Sequence, residues 1–186
     1  MKLVRQIAAR VRRQEGFGLI ELVIAMTVLS VGLLGLFAAY TTSYVTMKRA
    51  TQVSSATVLA DSQMERYRAL SYANIKLNTS CGASCAQDST YTSDSAYSST
   101  GQITGCTTTD ASCLSTQTLT GPDGRSYRVD TFIAWNCVGG GTLSVGPPVT
   151  CGSGQPAPMK LVTVVVRKTG GGTWVREASD FDPLSG

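Results

Sequence analysis

The chain has 186 residues, 42% of them hydrophobic, with a formal charge of +4 and no histidine. That length holds at most one soluble-sized domain beside an apolar segment. The missing histidine excludes the Ser–His–Asp triad, the Cys–His dyad and the usual zinc ligand sets. Lys2, Arg5, Arg10, Arg12 and Arg13 against Glu15 account for the whole net charge, so residues 17–186 are formally neutral. A general nucleic-acid-binding surface would need its cations on the folded part. The expectation is a protein that is not an enzyme, with no cofactor and no metal site.

The first element is an export segment. No Lys or Arg occurs between Arg13 and Lys48. Phe17 to Tyr40, helical at about 1.5 Å per residue, would reach about 36 Å, enough for a hydrocarbon core of about 30 Å. The basic residues before it place the N-terminus in the cytoplasm and export the chain beyond the apolar run. A secretory signal has a shorter apolar core and a small-x-small cleavage site, and GLFAAYTT offers only a poor one. An uncleaved anchor is the other plain reading. Neither explains why Gly16-Phe17 abuts the run directly, nor why Glu21 comes so soon after it. A charge near the centre of a spanning helix costs about 2.5–3.5 kcal/mol. Glu21 is therefore shallow enough to reach water, or it meets a positive partner inside the apolar layer.

The string EGFGLIELVIAMTVLSVGLLGL resembles the leader junction and first helix of type IV prepilins and pseudopilins. Leu29 to Leu36, LSVGLLGL, is further similar to the minor pilins described as pilus modification proteins. In that family a membrane peptidase cuts after the glycine and methylates the new N-terminus. The resemblance implies cleavage between Gly16 and Phe17, methylation of Phe17, and an assembly role for Glu21 as partner of a neighbouring subunit's amine. The residues make sense of this independently. Gly16 carries no Cβ to obstruct a peptidase, and a cut would give Phe17 a positive amine one helical turn from Glu21. There are departures: Gly18 replaces a common hydroxyl residue, and no proline precedes Pro122. Gly32 and Gly35 stand where many major pilins carry that proline. They would ease local melting, or Gly35 with Ala39 would allow close helix packing.

Helical spacing continues past the membrane. Met47, Ala50, Val53, Thr57, Ala60, Met64 and Tyr67 form an apolar stripe, with Lys48, Gln52, Asp61 and Glu65 on other faces. The spacing predicts one helix from about Phe17 to Ser71, its second half laid on a sheet. Arg66 and Arg68 in MERYRALSY read as a solvated face.

From Asn78 to Thr120 the chain is rich in Ser, Thr and Gly, with too little apolar content to order itself unaided. It reads as an exposed, variable loop pinned by disulfides, and the place where specific function would lie. Asn78-Thr79-Ser80 fits an N-glycosylation sequon. The six cysteines, Cys81, Cys85, Cys106, Cys113, Cys137 and Cys151, all lie beyond the apolar run and suggest an oxidising compartment. Six allow fifteen pairings. Spacing puts the neighbour pairs Cys81–Cys85, Cys106–Cys113 and Cys137–Cys151 first, the last joining the ends of two strands.

Strands come next. TQTLT and RSYRVDTFIAW read as a hairpin turned by Pro122, Asp123 and Gly124. Tyr127, Val129, Thr131, Ile133 and Trp135 alternate with Arg128, Asp130, Phe132 and Ala134. MKLVTVVVRK is β-branched and reads as central, and Gly170–Gly172 turn it into TWVREASDF. The glycine triplets at 139–141 and 170–172 read as turns and lack the lysine of a phosphate loop. Asp180 and Asp182 read as surface carboxylates rather than a calcium site.

The expected fold is α+β: a long N-terminal helix packed on a roughly four-stranded antiparallel sheet. The expected organisation is a leader at 1–16, a membrane half-helix at 17–40, an amphipathic half at 41–76, a disulfide loop at 77–120 and a sheet domain at 121–186. The resemblance implies a structural subunit, a minor pilin or pilin-like protein of a type IV pilus. It would reside in the cytoplasmic membrane and then in a pilus at the cell surface. Its implied partners are the prepilin peptidase, other pilins and the platform and motor proteins of assembly. No surface or DNA ligand is specified. The alternatives are a pseudopilin of a type II secretion system and a membrane-anchored adhesion or binding domain that never assembles.

Overall fold

A computed structural model describes residues 18–78, 88–97, 101–137, 143–144, 150–151 and 158–183. Its first element, α1 (Leu19–Arg68), is a single helix. The chain divides between Lys48 and Arg49 into two compact units.

In the first unit the apolar side chains of α1, from Leu19 through Met47, are exposed all round. It is the described helix long and apolar enough to cross a membrane. Its hydroxyls are satisfied within the helix. Thr27 Oγ1 donates to the Ile24 carbonyl at 2.7 Å, Ser30 Oγ to Met26 at 2.8 Å, and Thr42 Oγ1 to Ala38 at 3.0 Å. Such back-bonding hides polar groups that hydrocarbon could not solvate. The helix runs unbroken through Gly32 and Gly35, where an added Cβ would meet nothing within 4 Å.

In the second unit, residues 49–68 of α1 pack on a four-stranded antiparallel sheet. Its strands, in spatial order, are β3 (Thr116–Thr120), β4 (Ser126–Asn136), β7 (Met159–Arg167) and β8 (Thr173–Phe181). This is the α+β architecture expected. β7 is central and pairs with β4 and β8 along its whole length. Val162, Val164, Val165 and Val166 are fully buried, because both faces of the sheet are covered; that is why this strand carries valine on both faces.

On the helix side, Ala56, Leu59, Ala60, Met64 and Tyr67 meet Tyr127, Val129, Ile133, Val162, Val164 and Val166. Each large side chain so buried contributes about 1.5–3 kcal/mol. The expected stripe was right at Ala60, Met64 and Tyr67, but Val53 and Thr57 are exposed while Ser55, Ala56, Leu59 and Gln63 are buried. Gln63 lies inside because it has a partner there: its Nε2 donates to the Ala111 carbonyl at 2.9 Å. The helix also stops at Arg68, short of Ser71, and a 3-10 turn (Tyr72–Asn74) succeeds it.

The hairpin turn is set by close approach. A Cβ at Gly121 would fall 2.7 Å from the Tyr127 ring, so glycine is required there. Gly124 has φ of 73°, the left-handed region that favours glycine.

The largest departure lies between Asn78 and Thr120. Far from being a free loop, its described residues are docked. A single-turn helix, α2 (Ser89–Thr92), is capped by Asp88, whose side chain accepts from the Thr90 and Tyr91 amides at 3.0 and 3.2 Å. Tyr91 is buried on the outer face of the sheet, stacked on Phe132 with ring centroids 4.4 Å apart. Its hydroxyl donates to the Thr131 carbonyl at 2.8 Å. Further on, β1 (Leu77–Asn78) pairs in parallel with β2 (Thr104–Cys106). The turn closed by the Cys106–Cys113 disulfide is held against α1, since Tyr67 Oη donates to the Ser112 carbonyl at 2.7 Å. Two short strands, β5 (Leu143–Ser144) and β6 (Thr150–Cys151), pair within the Gly/Pro-rich excursion.

Candidate functional site

Glu21 lies in the first turn of α1. Its amide donates to the Gly18 carbonyl at 2.9 Å and the Leu22 amide to the same oxygen at 3.2 Å, which fixes the carboxylate beside the helix start. A negative charge there complements the positive end of the helix dipole. Around it Leu19, Ile20, Leu22, Val23 and Ile24 are exposed, so Glu21 is a lone anion on an apolar surface. Such a surface calls for lipid or for other helices. Gly16 and Phe17, the cleavage and methylation residues expected from sequence, lie outside the described residues, as do Cys81, Cys85 and the glycines at 139–141.

The structure joins Cys137 to Cys151 and Cys106 to Cys113, each with Cα atoms 5.8 Å apart. Cys137 comes directly after the end of β4 and Cys151 ends β6, so this bridge closes the Gly/Pro-rich excursion. Asn78 of the sequon is buried, and its Nδ2 donates to the Thr108 carbonyl at 2.9 Å. That amide is engaged in the fold, which argues against glycosylation. Asp180 accepts from Asn136 Nδ2 at 2.9 Å. Among the described residues no cluster of three acidic, Cys or His side chains could hold a metal ion.

Sequence reading missed an ionic strap on the outer face of the sheet. Arg128 and Arg167 are register partners on β4 and β7, and like charges so placed repel. Asp130, fully buried, resolves the conflict: its oxygens accept from Arg128 Nε at 2.8 Å and Arg167 Nε at 2.7 Å. The network then reaches the 88–97 segment. Arg128 pairs with Asp88 at 2.7 Å, Arg176 with Asp94 at 2.7 Å, and Arg167 also with Asp94. Burial pushes the Asp94 carboxyl up, but hydrogen bonds from Arg176, the Ala96 amide and Arg167 outweigh it and hold it below its ordinary value. Asp88 is lowered in the same way, burial being overcome by Arg128 and two amides. The signal in the sequence was an outward face of β4 that mixes Arg128 and Asp130 with Phe132.

Residues 11–37 match the family model of the prokaryotic N-terminal methylation motif. No curated protein and no solved structure matches the chain. The matched segment contains Gly16, Phe17 and Glu21 and runs to Phe37 on the exposed apolar half of α1. It supports a type IV pilin-like subunit, processed by a prepilin peptidase and assembled with other pilins.

Proposed function

We propose that this chain is a minor pilin or pilin-like structural subunit of a type IV pilus. It is anchored in the cytoplasmic membrane with its N-terminus cytoplasmic, cut between Gly16 and Phe17, and methylated on Phe17. Residues 1–16 form the leader, 17–40 the span and later the filament core, 41–76 the amphipathic half-helix, and 77–120 and 121–186 the displayed part.

The observation that carries this reading is the combination of the methylation motif with a lone carboxylate in an exposed apolar helix. Removing the leader would create an amine at Phe17 beside an apolar surface. An unpaired charge buried in such a layer costs about 3–5 kcal/mol relative to its pair. A neighbouring subunit that brings its Phe17 amine to Glu21 removes that cost, and this favours one register of assembly over others. The role is mechanical and needs no catalytic group. Disulfide-closed turns suit an oxidising compartment beyond the cytoplasmic membrane, which fits an exported domain, displayed pilin or pseudopilin alike.

The test is Glu21→Ala in cells that assemble the filament. The variant should insert in the membrane as well as the parent yet be depleted about a hundredfold or more from sheared filaments, the scale of about 3 kcal/mol at 1.4 kcal/mol per factor of ten. Wild-type amounts in the sheared fraction would refute the pairing role.

A further inference from the structure

We propose that Tyr40, Tyr44 and Lys48 form a face that holds the phosphate of an anionic phospholipid at the exported end of the membrane-spanning half of α1. The three residues follow one another at intervals of four, so they share one side of the helix. The Tyr40 and Tyr44 rings are 70% and 51% exposed. Lys48 is exposed too, and its ammonium lies 4.3 Å from the centroid of the Tyr44 ring. Helical side chains lean toward the N-terminus, and the attraction of the cation to the ring face fixes that lean. The charge of Lys48 is thereby carried back toward the apolar run.

The helix itself carries no anion for that charge. No Asp or Glu occurs between Glu21 and Asp61. The residues three and four positions from Lys48, its neighbours on the helix surface, are Tyr44, Val45, Thr51 and Gln52. The nearby hydroxyls are satisfied within the helix: Thr41 Oγ1 donates to the Ala38 carbonyl at 2.9 Å, Ser43 Oγ to Ala39 at 2.9 Å and Thr46 Oγ1 to Thr42 at 2.6 Å. The face thus presents a cation beside two amphipathic rings. Tyrosine and lysine are the side chains that anchor a helix in the headgroup layer, and the anion an ammonium meets there is a lipid phosphate.

Depth along the same helix makes a lipid the source of that phosphate. Tyr40 ends the span at 17–40, and Tyr44 lies about 6 Å beyond it at 1.5 Å per residue. The headgroup layer is about 5–7 Å deep on each side of the hydrocarbon. The Lys48 backbone, about 12 Å beyond Tyr40, falls outside that layer. The return of its ammonium over the Tyr44 ring brings the charge into it. All three residues belong to the first compact unit, so this depth follows from the helix alone. The inference rests on the spanning reading.

The experiment uses the full chain in nanodiscs of phosphatidylcholine with about one part in three of phosphatidylglycerol. A trace of one lipid or the other carries a photoactivatable headgroup, and adducts on residues 40–48 are mapped by mass spectrometry. The phosphatidylglycerol probe should label this stretch roughly fivefold more than the phosphatidylcholine probe, the scale of one cation at an anionic surface. The excess should be lost in Lys48→Gln, survive in Lys48→Arg, and fall in Tyr44→Leu, which keeps the cation but removes the ring that draws it back. Equal labelling by the two probes overturns the proposal. So does an excess that persists unchanged in Lys48→Gln or in Tyr44→Leu. Loss of the excess in millimolar inorganic phosphate at constant ionic strength overturns the lipid as source, since the face would then read free phosphate. Co-elution of the chain with discs reports the span separately. A chain that co-elutes without the excess refutes the face alone, and a chain that stays out of the discs overturns the span and the face with it.

Discussion

Asp130 accepts a hydrogen bond from Arg167 Nε at 2.7 Å on a face of the sheet where both side chains are closed off from solvent. The bond does more than join β4 to β7, because Arg167 also pairs with Asp94 on the 88–97 segment. The polar, Ser-rich chain that covers Phe132 and Val165 is held by ions as well as by Tyr91. Removing Asp130 would leave Arg128 and Arg167 facing each other with their shared anion gone. Asp130→Ala should cost about 3–5 kcal/mol of unfolding free energy, read as a shifted denaturant midpoint of the full chain in detergent. Arg176→Ala, on a more exposed partner of Asp94, should shift the midpoint much less. Equal effects of the two substitutions would show that the buried centre of the strap has no special weight.

Acid should loosen the same strap. The Asp94 and Asp88 carboxyls are held below their ordinary 3.8 in the folded chain. A group whose folded pKa is lowered contributes stability that is present above its unfolded value and lost as pH falls through the folded one. Stability should therefore hold from neutral pH to about 4 and decline below it. The decline should be shallower in Asp94→Asn, which is already weakened at pH 7. Thermal unfolding midpoints measured between pH 6 and pH 2 decide this, and parallel pH profiles of parent and variant would exclude Asp94 as a contributor.

The disulfide from Cys137 to Cys151 closes a separation of 14 residues. Chain entropy alone gives such a loop about 3 kcal/mol. Cys137→Ser/Cys151→Ser should lower the unfolding free energy by that amount while leaving β4 and β7 paired, because their register is set by side chains along the whole strand. Backbone hydrogen exchange across residues 126–136 should stay protected in the variant at low temperature. Loss of protection there would mean that the bridge holds the sheet itself.

The helix, the β3–β4 hairpin, the turn from β7 into β8 and the central place of β7 were legible from helical period, turn residues and β-branched content. Val162 to Val166 could belong only to a strand covered on both faces, and Pro122 to Gly124 could only turn. The 88–120 region was misread because composition counts apolar residues rather than locating them. Tyr91 and Ile103 dock it, since each joins an apolar cluster formed with the sheet or α1. The ionic strap was illegible for a related reason: Asp88 and Asp94 precede their arginines by dozens of residues. The stripe on α1 shifted because Gln63 is polar in the sequence but satisfied in the fold. Glu21 was legible at once, since a carboxylate among Leu, Ile and Val is a local contradiction that needs no knowledge of the rest.

The central claim is that the chain becomes a subunit by losing its basic leader, and intact-mass analysis of the chain recovered from membranes tests it most directly. The account predicts a mature species that begins at Phe17, carries one added methyl group on its N-terminal amine, and is replaced by the full-length chain in Gly16→Leu. A recovered chain that still begins at Met1, or one cut beyond residue 39 as a secretory signal would be, would contradict it.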